Sequence, residues 1–122
     1  MVEITDKDFH ELINVALESL PGAHAKGIKN VAILYEEEPT PEQRAKTNLK
    51  NHQTLLGLYE GVPLPERQGH QPLFPDKITL FKGPLTRQAK SLEDLKKEIR
   101  HTLWHEIAHY YGLDHKAIDR LE

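Results

Sequence analysis

Three histidines and a glutamate stand at fixed intervals toward the end of the sequence. His105, Glu106, His109 and His115 spell His-Glu-x-x-His-x-x-Gly-x-x-His, with Gly112 as the glycine. On a helix, residues four apart lie about 40° apart around the axis, one turn above the other. The His105 and His109 rings can therefore meet on one metal ion. Glu106 lies about 100° round from His105, within reach of a water on that ion without being a ligand itself. Gly112 can end the helix by taking a positive φ, which turns the chain so that His115 supplies a third nitrogen. Three protein ligands with a fourth position open is the arrangement of catalytic Zn2+, whereas structural zinc is closed by four. The chemistry expected is hydrolysis. The metal lowers the pKa of water to about 7, and Glu106 acts as general base and then hands the proton to a leaving amine.

Several neighbours compete for parts of this scheme. Asp114 adjoins the expected third ligand, and a carboxylate also binds zinc. The x-x spacing after Gly112 favours His115 and leaves Asp114 as a partner of a ligand or a turn residue. Tyr110, Tyr111 and Arg67 are candidates for steadying a developing oxyanion, and the sequence does not choose among them. His101, one turn before His105, reads as a solvated helix histidine. His10, His24, His52 and His70 show no metal-ligand spacing and are expected to face solvent.

These residues need a framework. Ser91 is expected to cap the long helix that carries the histidines, with Asp94 in the capping-box position. Leu103, Trp104, Ile107 and Tyr111 fall opposite His105 and His109, so the helix should turn an apolar back to the core and its histidines to a cleft. Near the start, Thr5 reads as an N-cap with Asp8 three residues on. Phe9, Leu12, Ile13, Ala16, Leu17 and Leu20 then follow helical spacing until Pro21-Gly22. Val31 to Tyr35, Leu55 to Tyr59 and Ile78 to Phe81 read as strands, the last within the alternating run Lys77 to Phe81. Thr40 can cap a short turn starting at Pro41. Gly61 to Pro72, with its prolines and glycines, reads as a long loop of the kind that often carries function. Ala117 to Leu121 reads as a final short helix.

With 122 residues the chain is expected to form one domain, 1–122. It has no cysteine, which excludes disulfides, thiolate metal sites and a cysteine nucleophile, so any metal falls to His, Asp or Glu. A net charge of −3 offers no basic footprint for nucleic acid or an anionic membrane. No long apolar run and no signal-peptide pattern is present, so a soluble cytoplasmic protein is expected.

The stretch Leu55-Leu56-Gly57-Leu58-Tyr59-Glu60-Gly61-Val62-Pro63-Leu64 with Arg67, then Ile78-Thr79-Leu80-Phe81-Lys82-Gly83-Pro84, then the histidine helix, resembles the small bacterial zincin-like metallopeptidases. That resemblance runs from about Phe9 to the end of the chain. It implies an α+β, minimal zincin-like fold: a small mixed sheet, an active-site helix beneath it, flanking helices and a cleft along the edge strand. It also implies His105 and His109 as helix ligands and Glu106 as the base. The family often has Asp at the position of His115, so this chain departs there toward the metzincin form. The methionine turn of full metzincins has no counterpart, since the only methionine is Met1. The expected function is zinc-dependent hydrolysis of peptides or unfolded protein. One alternative is a zinc-dependent endoribonuclease that matures ribosomal RNA, which shares the histidine spacing but usually lacks a glutamate after the first histidine. The other is a metal-binding module without catalysis.

Overall fold

A computed structural model describes residues 2–20, 31–47, 54–66 and 76–112. The first helix, α1 (Asp6–Ser19), starts where Thr5 Oγ1 accepts a hydrogen bond from the Asp8 amide, as the sequence predicts. It ends at Ser19 because Leu20 is extended, the conformation imposed on a residue that precedes proline. Phe9, Ile13 and Ala16 are buried, a face of helical period turned inward. Burial of Phe9 alone is worth about 1.5–3 kcal/mol.

Strand β1 (Val31–Glu36) matches its prediction with one residue more. Helix α2 (Pro41–Lys46) carries a full capping box: Thr40 Oγ1 accepts from the Gln43 amide, and Gln43 Oε1 accepts from the Thr40 amide. Strand β2 (Gly57–Glu60) starts two residues later than predicted. Leu55 is buried before the strand begins, and Leu56 offers its carbonyl to the Phe81 amide. A 3-10 turn, Leu64–Glu66, lies within the segment from Gly61 to Pro72 that is expected to be a loop.

Strand β3 (Asp76–Phe81) is central in the order β1-β3-β2, parallel to β1 and antiparallel to β2. The sheet is therefore mixed, and with its helices the fold is α+β. The alternation of Lys77 to Phe81 predicts a strand with one solvated face. Instead Ile78, Thr79, Leu80 and Phe81 are all fully buried. Ile78 and Leu80 face the main core of α1 and the long helix, while Phe81 joins Leu55 and Leu58 in a second cluster.

Two further helices complete the fold, α3 (Lys82–Gln88) and α4 (Leu92–Tyr110). Helix α3 follows β3 directly and is absent from the sequence reading, where Gly83-Pro84 signals a break. Pro84 sits within the first turn, whose amides have no helical acceptor in any case. Gly83 donates its amide to the Glu37 carbonyl at 2.8 Å, and a Cβ there would meet Glu38 Oε2. Arg87 grips Glu38 with both terminal nitrogens, at 2.7 and 2.8 Å. The end of β1 is thus clipped to α3.

At the other side of the sheet, Lys46 of α2 pairs with Glu60 of β2. Burial pushes the Glu60 carboxyl up. The hydrogen bond from Lys46, the charges of Lys77 and Lys46 and a hydrogen bond from Gln43 outweigh it, so the carboxyl ionises below its ordinary range. A depressed carboxylate adds stability that is complete above the unfolded pKa and is lost as pH falls through the folded one. Glu60→Gln should therefore cost about 0.2–1 kcal/mol near neutrality and nothing below the folded pKa. Urea midpoints of the two proteins against pH test this; an equal gap at all pH values would refute it.

Candidate metal centre

Helix α4 carries His105, Glu106 and His109, and its cap residue is the expected Ser91. Ser91 Oγ accepts from the Asp94 amide, but Asp94 Oδ2 accepts from the Lys90 amide, one residue before the one that the expected capping box would use. Leu95, Ile99, Leu103, Trp104 and Ile107 are fully buried along its length. The apolar back predicted for Leu103, Trp104 and Ile107 is thus present, and Tyr111 is half-buried beyond it. Burial also extends to the side that holds Thr102, Glu106 and Tyr110.

The structure brings three of the four expected site residues together. The His105 and His109 rings lie 4.8 Å apart by centroid, one half-buried and the other with its side chain 40% exposed. Glu106 is 7% exposed, tucked beside them on the side of the helix that faces the sheet. His109 Nδ1 and Glu106 Oε1 are 3.1 Å apart. Hydrogen bonding to that carboxylate raises the His109 pKa, against the opposing effect of burial. In the tautomer with Nδ1 donating to Glu106, Nε2 is the His109 nitrogen that would bind a metal. The sequence reading gives Glu106 no such partner.

Gly112 takes φ +72°, the left-handed cap expected of it, and donates its amide to the His109 carbonyl at 3.0 Å. A Cβ there would lie 2.7 Å from Pro65 Cγ, so the end of α4 abuts the turn after β2. His115 and Asp114, together with Arg67, His24, His52, His70 and the helix expected from Ala117 to Leu121, lie outside the described residues. Among the described residues no group of three His, Asp or Glu is placed to hold a metal. The donor types nevertheless suit zinc: two imidazoles on adjacent turns, no thiolate and a carboxylate beside them. A third ligand at 115 would complete the set.

A cleft of about 200 Å³ runs beside these groups, between α4 and the approach to β2. Thr54, Leu56 and Gly57 form one wall, and His101, Thr102, His105 and Glu106 the other. Gly57 is what lets strand and helix come so close, because a Cβ there would lie 2.6 Å from Thr102 Cγ2. Gly57→Ala should overpack this contact and cost about 1–3 kcal/mol. Thermal or urea unfolding measures it, and the variant's stability should recover when Thr102→Ser removes the opposing methyl.

The other candidates separate. Tyr110 is 2% exposed and packs its ring edge-on to Tyr59 and Tyr111. Tyr111 is half-buried, and burial pushes its hydroxyl pKa up. His101 is exposed, as expected, with its ring 6.3 Å from that of His105. His10 is exposed too, beside Tyr35. Among the described residues no helix is long and apolar enough to cross a membrane.

The described residues thus form a small mixed sheet packed with a histidine-bearing helix, with a cleft between that helix and the start of the edge strand. The family profile of the zincin-like metallopeptidases matches residues 28–122, and the chain belongs to that family. A conserved hypothetical protein from Thermo thermophilus shares the fold with a TM-score of 0.58 and 22% identity, over 95% of this chain and 99% of that one. No curated protein matches the chain significantly.

Proposed function

We propose that this protein is a zinc-dependent metallopeptidase acting on extended peptides or unfolded protein. The observation that carries the reading is the grouping of His105 and Glu106 at one wall of the cleft, with His109 beside both, in a chain of this family. His105 and His109 would hold the ion, with His115 as the third ligand. Bound zinc supplies a Lewis acid that polarises the scissile carbonyl and acidifies water.

The chain's own groups do the rest. Glu106 Oε1 is engaged by His109, so Oε2 would take the proton from the attacking water and pass it to the leaving amine. Burial keeps this carboxylate out of bulk water, where its position would be less defined. The outer edge of β2 pairs with no strand among the described residues. An extended peptide can add to that edge through main-chain hydrogen bonds, which would lay its backbone along the cleft. Such binding reads backbone rather than side chains, in keeping with unfolded substrates.

Membership of this family favours the peptidase reading over the endoribonuclease. Zinc analysis of purified protein, alongside digestion of a peptide library and of a structured RNA, tests it. Zinc with peptide cleavage is expected. Zinc with RNA cleavage alone, or zinc with neither, would overturn it.

A further inference from the structure

Away from the cleft, α1 and α4 lie side by side and run in the same direction. Asp8 and Leu12 flank Leu92 at the starting end, while Arg100 of α4 donates to the hydroxyl and carbonyl of Ser19 at the far end. An open groove of about 700 Å³ follows the starting half of this seam and a second, of about 180 Å³, follows the far half. Leu12 and Lys96 line both.

The floor is apolar. Ile4 and Leu12 are half-buried there, while Leu92 is 48% exposed and Val15 is 51% exposed. Four large apolar side chains in one strip differ from the scattered singles that any surface carries. The rim is charged, and its sign changes along the seam. Glu3, Asp8 and Glu11 border the starting half against Lys96, which is shared with the far half, whereas Lys96, Lys97 and Arg100 border the far half against a single acid, Glu93.

From Leu92 to Arg100 the seam spans roughly 12 Å at 1.5 Å per residue. The structure thus presents one strip with an apolar floor, more acidic at one end and basic at the other. We propose that its occupant is a second copy of this chain, paired by a two-fold axis that crosses the seam near Leu12 and Val15. Such an axis sets the acidic end of each copy on the basic end of the other and Leu12 and Val15 on their counterparts. It also sets the helix dipoles of the two seams antiparallel. A strip of two signs is complementary to itself turned end for end, which is what an isologous interface requires. A partner of one charge would meet its own sign at one end.

The cleft stays open in this pairing. Lys96 lies about 180° round α4 from His105, so the seam and the histidines occupy opposite sides of the same helix.

Sedimentation equilibrium of the full chain over a range of concentrations tests the proposal. A monomer–dimer equilibrium is expected, with dissociation becoming several-fold easier as salt rises from about 0.05 to about 0.5 M. Glu11→Lys and Lys97→Glu should each raise the dissociation constant on the order of 10-fold, because the two-fold repeats every change. The double variant should restore it, since opposite signs meet again. Val15→Asp, at a 51% exposed position that leaves the fold intact by circular dichroism, should abolish pairing, because the axis sets two like charges against each other. A monomer at every concentration overturns the proposal, as does a dimer indifferent to these changes.

Discussion

Glu106→Gln should leave zinc bound and lower peptide hydrolysis by about 10²–10⁴-fold, the usual contribution of a general base. The two side chains have nearly the same volume, so the buried slot beside Thr102 and His109 stays filled. The amide oxygen can still accept from His109 Nδ1, so the ring orientation survives. What is lost is a site that takes a proton. The measurement pairs metal content with turnover on a peptide that the native protein cleaves. Loss of metal together with activity would mean that Glu106 is a ligand, and unchanged turnover would remove it from the mechanism.

The second large effect concerns the ligands themselves. His105→Ala or His109→Ala should abolish tight binding of the single zinc expected per chain, since each removes a ring from the pair held 4.8 Å apart. Neither change should unfold the protein, because neither ring belongs to the apolar core. His115→Ala should weaken zinc as severely, and Asp114→Ala should cost only the 10–100-fold of a residue that orients a ligand. Competition against a chromophoric chelator measures all four. Full zinc at native affinity in either helix variant would refute the assignment, while zinc lost with Asp114 and kept without His115 would exchange their roles.

Local signals are readable wherever the physics is local. Thr5, Ser91 and Gly112 act at helix ends as their types and positions predict, because a cap involves only the next three residues or the sign of one φ. Thr40 is visible in the same way, although its type alone does not announce Gln43 as a reciprocal partner. The histidine spacing places His105 and His109 on one face because helix geometry alone does so. Contacts between distant segments are another matter. Helix α3 is hidden in the sequence because Gly83-Pro84 looks like a stop, and only the Glu37 carbonyl and Glu38 side chain explain why glycine belongs there. Thr79 within an alternating run looks solvated, but the second cluster of Leu55, Leu58 and Phe81 closes that face. The late start of β2, the placing of β3 between β1 and β2, and the close approach of Gly57 to Thr102 all depend on pairing across many residues.

The histidine helix has one more consequence. Its hold on the body of the protein comes from Leu95, Ile99, Leu103, Trp104 and Ile107, an apolar contact in which no metal ligand takes part. In many small zinc domains the ion substitutes for a core, and removing it unfolds the chain. Under the proposed assignment, two of the donors stand on a scaffold with a core of its own, so little ordering entropy would oppose the entry of an ion at that pair. Loading and folding would then be largely uncoupled in this part of the molecule, and a chelator would strip the metal without unfolding the helix that held it.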